Sequence, residues 1–419
     1  MKTNSFLRAL TALCVLCVPV LSAAQNTPAA KHERRQAQQI VVFEYDEEEL
    51  WEGELMEQSH RSLDQDYLHF KKMLNDKIGL QYGVDISYTA QRGAPGGKQT
   101  SIQGYYYPYL TWNLFKDTAI GSGQINVNYN FIRYWGMEGT ILQNRLGILA
   151  GQNDYTANQE IFSQASYTHT LPGDMNWISM TVGQFPLYNF DGANYLDNQQ
   201  TGLINFAMSQ NASSTYANAG VGGYVQLTPG KWTFAGGYQD ASNIAAETIR
   251  LNTAFGGYYT YFAYASYAPE IAGQSGQYSF LYYYQPSVTD QPGISRGYSF
   301  NMNQNLSDKW VLSGRANWSD GDIAAIQNSY VLAATLVNPF ERNANDAITV
   351  GVSYNRLDHT ALGNPPFVRN YENAVEMQWV WGIGKLITIT PDIQFYPKAA
   401  VGQEHKFVTV AGLRAAVLL

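Results

Sequence analysis

Few residues of this chain could break or make bonds, and they are poorly placed to do so. Gly293-Ile294-Ser295-Arg296-Gly297 fits G-x-S-x-G, but that motif activates a serine only at a sharp strand-to-helix turn. Here it leads into a strand. The six histidines, His32, His60, His69, His169, His359 and His405, lack metal-ligand spacing. No GxGxxG opens a helix and no P-loop is present, so neither a cofactor nor a metal is expected. What remains is chemistry of contact: Asp85, Glu372, Glu376, Asp392, Gln394 and Arg414, and a loop rich in aromatics and amides at 186–216.

The elements that must hold these groups are strands. In Tyr371–Pro397 the odd positions Tyr371, Val375, Met377, Trp379, Trp381, Ile387, Ile389, Ile393 and Phe395 are apolar. The even positions carry Glu372, Glu376, Gln378, Thr388, Thr390, Asp392 and Gln394, and Gly382-Ile383-Gly384-Lys385 divides the run. A period of two across a glycine-rich break is a β-hairpin with one greasy and one polar face. Such a face packs on a core in a soluble sheet. In a membrane barrel it meets lipid, while the polar face lines water.

Composition favours the membrane. The 31 tyrosines outnumber all 26 Lys and Arg, and only 14% of the 419 residues are charged, against roughly 25% in ordinary soluble domains. Met1–Ala24 reads as a secretory signal peptide, with Lys2 and Arg8 before an apolar core and Ser22-Ala23-Ala24 as the cleavage site. Cys14 and Cys17 both lie within it, which leaves a cysteine-free mature chain. Without Lys2 and Arg8, 24 basic residues face 34 acidic ones, a net charge of −10 that argues against nucleic acid. Residues 25–77 read as an acidic arm, densest at Glu44–Glu57, and then one amphipathic helix around Asp64–Asp76. Two readings stand for this arm: a solvated periplasmic extension, or a contact with the cell wall or with a neighbouring subunit of a homo-oligomer.

From residue 78 to 419 the alternation hardly stops. Leu80–Thr89 opens it, and Ile125, Val127, Tyr129 and Phe131 oppose Asn126, Asn128 and Asn130. The tally is 16 strands. Short turns such as Pro172–Met175, Thr228–Gly230 and Leu306–Asp308 alternate with long connections at Trp135–Gln159, Pro186–Tyr216, Asp240–Phe255 and Leu357–Asn370. Short periplasmic turns, long outer loops and an even strand count describe a transmembrane antiparallel barrel in the outer membrane of a Gram-negative bacterium, facing lipid outward. About 16 strands leave an aqueous channel.

The segment Thr181–Met208, TVGQFPLYNFDGANYLDNQQTGLINFAM, resembles the carbohydrate-selective porins of the OprB type, as do Asn338–Tyr354 and Thr390–Ala400. The resemblance implies a 16-stranded porin giving passive diffusion to monosaccharides and related polyols, small neutral sugars above all. Gln184 stands where that family commonly has Lys, and Leu419 where barrels usually end in an aromatic residue. In such a porin the 186–216 loop would fold inward and narrow the bore. Phe190 and Tyr195 would then stack on the sugar, with Asp191, Asn194, Asn198, Gln199 and Gln200 exchanging hydrogen bonds. Asp85, Glu372, Glu376, Asp392 and Gln394, opposed by Arg414, would line the pore and set its ionic preference. Arg133 is grouped with Asp85 as generic lining. Two alternatives stay open: a general diffusion porin, and a barrel hydrolase pairing Ser295 with His169 or His359.

Overall fold

The computed structural model describes residues 63–95, 100–192, 196–198, 200–365, 367–401 and 407–419. The signal peptide and the acidic stretch Glu44–Glu57 lie outside them. The described chain opens with helix α1 (Leu63–Ile78), where the amphipathic spacing placed one.

Alternation then builds β1 (Leu80–Ala94), β2 (Ser101–Thr118), β3 (Gly121–Gly136), β4 (Gln159–Thr170), β5 (Ile178–Phe185) and β6 (Gly220–Leu227). They are followed by β7 (Trp232–Asp240), β8 (Tyr259–Tyr267), β9 (Glu270–Ile271), β10 (Gln274–Gln285), β11 (Ser295–Asn305) and β12 (Trp310–Ser319). The last five are β13 (Ile326–Val337), β14 (Ala347–Leu357), β15 (Tyr371–Ile383), β16 (Ile387–Tyr396) and β17 (Val408–Leu418). Each pairs antiparallel with the next, except that β8 skips β9 to pair with β10, and β1 pairs with both β2 and β17, which closes the sheet and leaves no edge. The two-residue β9 pairs only with β10, so the closed wall has 16 strands and the expected count holds.

The outer face is apolar and rimmed by two aromatic girdles. Trp112, Trp232 and Trp310 stand near the short-turn end, and Tyr88, Trp135, Trp318 and Tyr371 near the long-loop end. Their amphipathic rings suit the membrane interface. Among the described residues no helix is long and apolar enough to cross a membrane; the strands do so. Arg133, grouped above with the lumen lining, belongs instead to this outer face. Its odd position puts it in phase with Phe131, whose ring lies 4.0 Å below its guanidinium. It pairs there with Glu160, which also accepts a hydrogen bond from Tyr129.

At the seam, backbone closure depends on Gly83. The Tyr109 ring lies across it, and a Cβ there would sit 2.4 Å from that ring and 2.1 Å from the Leu419 carbonyl oxygen. Val84 N–H donates to that same oxygen at 3.0 Å, binding β1 to the end of β17.

Candidate functional site

An even-numbered face of β15 to β17 and an odd-numbered face of β1, β2 and β10 to β14 point into the barrel. Into the space they enclose fold two of the long connections. Residues 137–158 carry helix α2 (Gly139–Leu146), and residues 186–219 carry the single turn α3 (Phe206–Ser209). Leu142, Leu146, Leu203 and Met208 pack on inward Val331, Ala333, Tyr396 and Val410 as one apolar cluster. Each such fully buried side chain contributes roughly 1.5–3 kcal/mol. Gly351 on β14 makes room: a Cβ there would meet Leu203 at 2.7 Å and Met208 at 3.0 Å.

Polar groups of the wall then grip the loop backbones. The Glu372 carboxylate accepts from the N–H groups of Leu149 at 3.0 Å, Ala150 at 2.5 Å and Ala400 at 3.1 Å. One turn of the pleat further, Glu376 accepts from Ile204 at 2.6 Å and Asn205 at 3.1 Å. Gln378 donates to the Thr201 carbonyl, Gln394 to that of Gln152, and Arg414 to that of Gly202. Gln394 also donates to Asp392 at 3.2 Å. The two loops bond each other through Phe206 N–H to Gly151 O at 3.2 Å and Ala207 N–H to Ala150 O at 3.1 Å. Desolvating a carboxylate costs several kcal/mol, and two or three charge-assisted bonds to backbone N–H offset that cost.

The wall residues named from sequence on β1 and on β15 to β17 thus stand on the inner face, but in a different role for most. Glu372 and Glu376 are wholly covered and Arg414 is 2% exposed; they hold the loops rather than meet solute. Asp392 and Gln394 are likewise buried between them. Asp85 alone of the set is half-buried.

The loop residues also sort differently from the expectation. Phe190 is 5% exposed and packs 4.9 Å from Phe262 and 5.1 Å from Tyr224, so it offers no face to a solute. The inward aromatics of β6 and β8 compete for it and win. Asp191, 3% exposed, anchors the loop: Asn211 donates to it at 2.6 Å, Tyr216 at 2.8 Å, and Ser299 and Asn301 from the wall. Asn198 accepts from the backbone N–H of Gln200 and Thr201, which folds a local turn and buries Gln200. Asn194, Tyr195 and Gln199 lie outside the described residues.

What sequence reading passed over is a group of tyrosines. Tyr105, Tyr107 and Tyr109 occupy successive inward positions of β2, the face opposite Tyr106, Leu110 and Trp112. Their ring centroids are 6.3 and 5.9 Å apart. Tyr155 from the first loop stacks on Tyr105 at 5.5 Å, and Tyr188 from the second lies beside them. Burial raises the hydroxyls of Tyr155 and Tyr188 above their ordinary value. At the lower end α1 brings Lys71 to 5.8 Å from the Tyr109 ring. Burial pulls that ammonium below its ordinary value, against the opposing pull of Asp85. The signal was present as three tyrosines at i, i+2 and i+4 on a strand whose other face is apolar.

Comparison with known proteins agrees with this architecture. Residues 137–418 match the family described as "Carbohydrate-selective porin, OprB family". The chain is 35% identical over 319 residues to Porin AaxA of Chlamydia felis, covering 76% of this chain and 71% of that protein. To Porin AaxA of Chlamydia pneumoniae it is 32% identical over 350 residues, covering 82% and 80%. Among solved structures, the high-pH structure of Pseudomonas putida OprB superposes with a TM-score of 0.68 at 13% identity, over 84% of this chain and 97% of that one.

Proposed function

The chain belongs to the OprB family of carbohydrate-selective porins and is an outer-membrane porin of a Gram-negative bacterium, and from that premise we propose that it passes monosaccharides and related polyols by selective passive diffusion. The observation that carries this is the bore itself: a closed 16-strand wall narrowed by two loops that Glu372 and Glu376 pin to β15. Pinned loops make a passage of constant shape, and a constant shape can discriminate among solutes of similar size. Weak, multiple contacts then allow both entry and exit. The neutrality of the favoured solute is inferred from the family's description.

We read the chain as a channel without catalysis. Ser295, the serine of G-x-S-x-G, starts β11, is wholly buried and shares its hydroxyl with Thr215 at 2.8 Å. That geometry supports a wall contact rather than a nucleophile. Residues 1–24 are read as the export signal and 25–77 as a periplasmic arm that ends in α1; contact of the arm with the cell wall or a second copy belongs to the same reading. The decisive experiment reconstitutes the purified protein in liposomes and planar bilayers. Swelling in glucose and mannitol faster than in a disaccharide, with glucose reducing the ion current, is the expected result. Equal swelling for all sugars with no current block would leave a general diffusion porin, and liberation of fatty acid or reducing ends would replace the channel by a hydrolase.

A further inference from the structure

The inner face of β2 is chemically unlike the rest of the wall. Elsewhere the inward positions carry Asn, Ser, Thr and Gln in runs, as at Asn126, Asn128 and Asn130 of β3 or Ser299, Asn301 and Asn303 of β11. On β2 three consecutive inward positions are tyrosine, and two of them, Tyr107 and Tyr109, remain partly exposed after both loops have folded in. Packing accounts for Tyr105, which is 4% exposed, stacks on Tyr155 and donates to Asn130, but not for Tyr107 and Tyr109, because the apolar clusters under the loops are built from other residues. A strand rises about 3.3 Å per residue, so alternate residues repeat at about the 6.3 and 5.9 Å separations of their rings. Tyr155 continues the series from the first loop at 5.5 Å.

Beside this row stands a carboxylate. The antiparallel register sets Asp85 of β1 directly opposite Tyr107, and Asp85 is itself only half-buried. Glu372 and Glu376 are consumed by loop N–H groups, whereas Asp85 keeps a side open to the interior. Its backbone partner is the Leu419 amide, and Lys71 of α1 lies close below. An aromatic surface next to a carboxylate provides two complementary contacts for one ligand class. The ring covers the C–H face of a pyranose, and the carboxylate accepts from its hydroxyls.

We propose that Tyr107 and Tyr109, with Asp85 alongside, Tyr155 at the outer end and the buried Tyr105 stacked between as their support, form a contact track along which a ring-shaped neutral sugar passes through the bore. The proposal rests on the sugar-porin reading above and places its binding surface on the barrel wall of β1 and β2, not on the 186–216 loop. Successive equivalent contacts a few ångströms apart let a solute exchange one ring for the next without being released or trapped, which is what conduction by a binding channel requires.

The test is current block by glucose in planar bilayers, read as the sugar concentration that halves the ion current. Tyr107→Leu is expected to raise that concentration about fivefold, near 1 kcal/mol, the order expected of one aromatic contact. Tyr107→Phe keeps the ring and should shift it less than about twofold. Asp85→Asn should raise it severalfold for glucose and less for a sugar lacking the matching hydroxyls. The ratio of glucose to sorbitol block should fall in Tyr107→Leu and Tyr109→Leu, since an open-chain polyol presents no ring face. A folded, conducting Tyr107→Leu/Tyr109→Leu channel blocked at the wild-type concentration overturns the track alone. A wild-type channel that conducts but is blocked by no sugar overturns the sugar-porin reading and the track with it.

Discussion

Glu376 shows how little a residue's type says about its task. A carboxylate on the wet face of a barrel is expected to face solute, yet this one receives the N–H groups of Ile204 and Asn205. Replacing it by Ala leaves two buried donors unpaired, at about 1–3 kcal/mol each, and frees the 186–219 loop. Glu376→Ala should therefore show higher single-channel conductance, noisier open levels and a lower temperature for the heat-induced mobility shift. Unchanged conductance and noise in a folded variant would show that the loop is held by its apolar contacts alone. Gly83→Ala acts at the opposite seam. Because a Cβ would meet backbone as well as the Tyr109 ring, the barrel end should loosen, and the variant should lose its heat-modifiable band at lower temperature than wild type.

At the level of elements, loop length divides the two ends of the barrel. Asn364 lies in the long exposed connection after β14, and Asp308 in the tight turn between β11 and β12. A cysteine at 364 should react with a membrane-impermeant thiol reagent on whole cells, and one at 308 only after the outer membrane is opened. Equal labelling on intact cells would invert or abolish the orientation. The strand elements themselves were legible from alternation, because a strand between lipid and water must present opposite chemistries on its two faces. The inward fold of residues 137–158 was not. Its helix α2 covers its apolar side with Val331 and Val410, partners far away in sequence, on β13 and β17, that no local pattern announces.

Taken whole, the molecule is an acidic channel whose exposed inner charge is smaller than its sequence suggests. With Glu372 and Glu376 committed to backbone N–H groups and Arg414 to Gly202, Asp85 is left as the wall carboxylate that ions meet among those named. A weak cation preference is expected at low salt. It should fade as the screening length falls from about 10 Å at 0.1 M to about 3 Å at 1 M, and Asp85→Asn should reduce it more than Glu372→Gln. A reversal potential indicating anion preference at low salt would contradict this assignment.

The boundary between what was written in the chain and what was not follows from the range of the forces. Strand number, the lipid-facing side, closure and the membrane setting depend on residues two apart and on turn length, so the linear pattern contained them. Phe190 was a plausible sugar platform until Tyr224 and Phe262 enclosed it, and Glu372 a selectivity group until Leu149 and Ala150 were laid against it. Those outcomes required the two loops to enter the bore, a choice made by packing volume and backbone hydrogen bonds across the barrel. Tertiary structure alone could decide which polar residues grip the loops and which, like Tyr107 and Asp85, stay open to whatever passes.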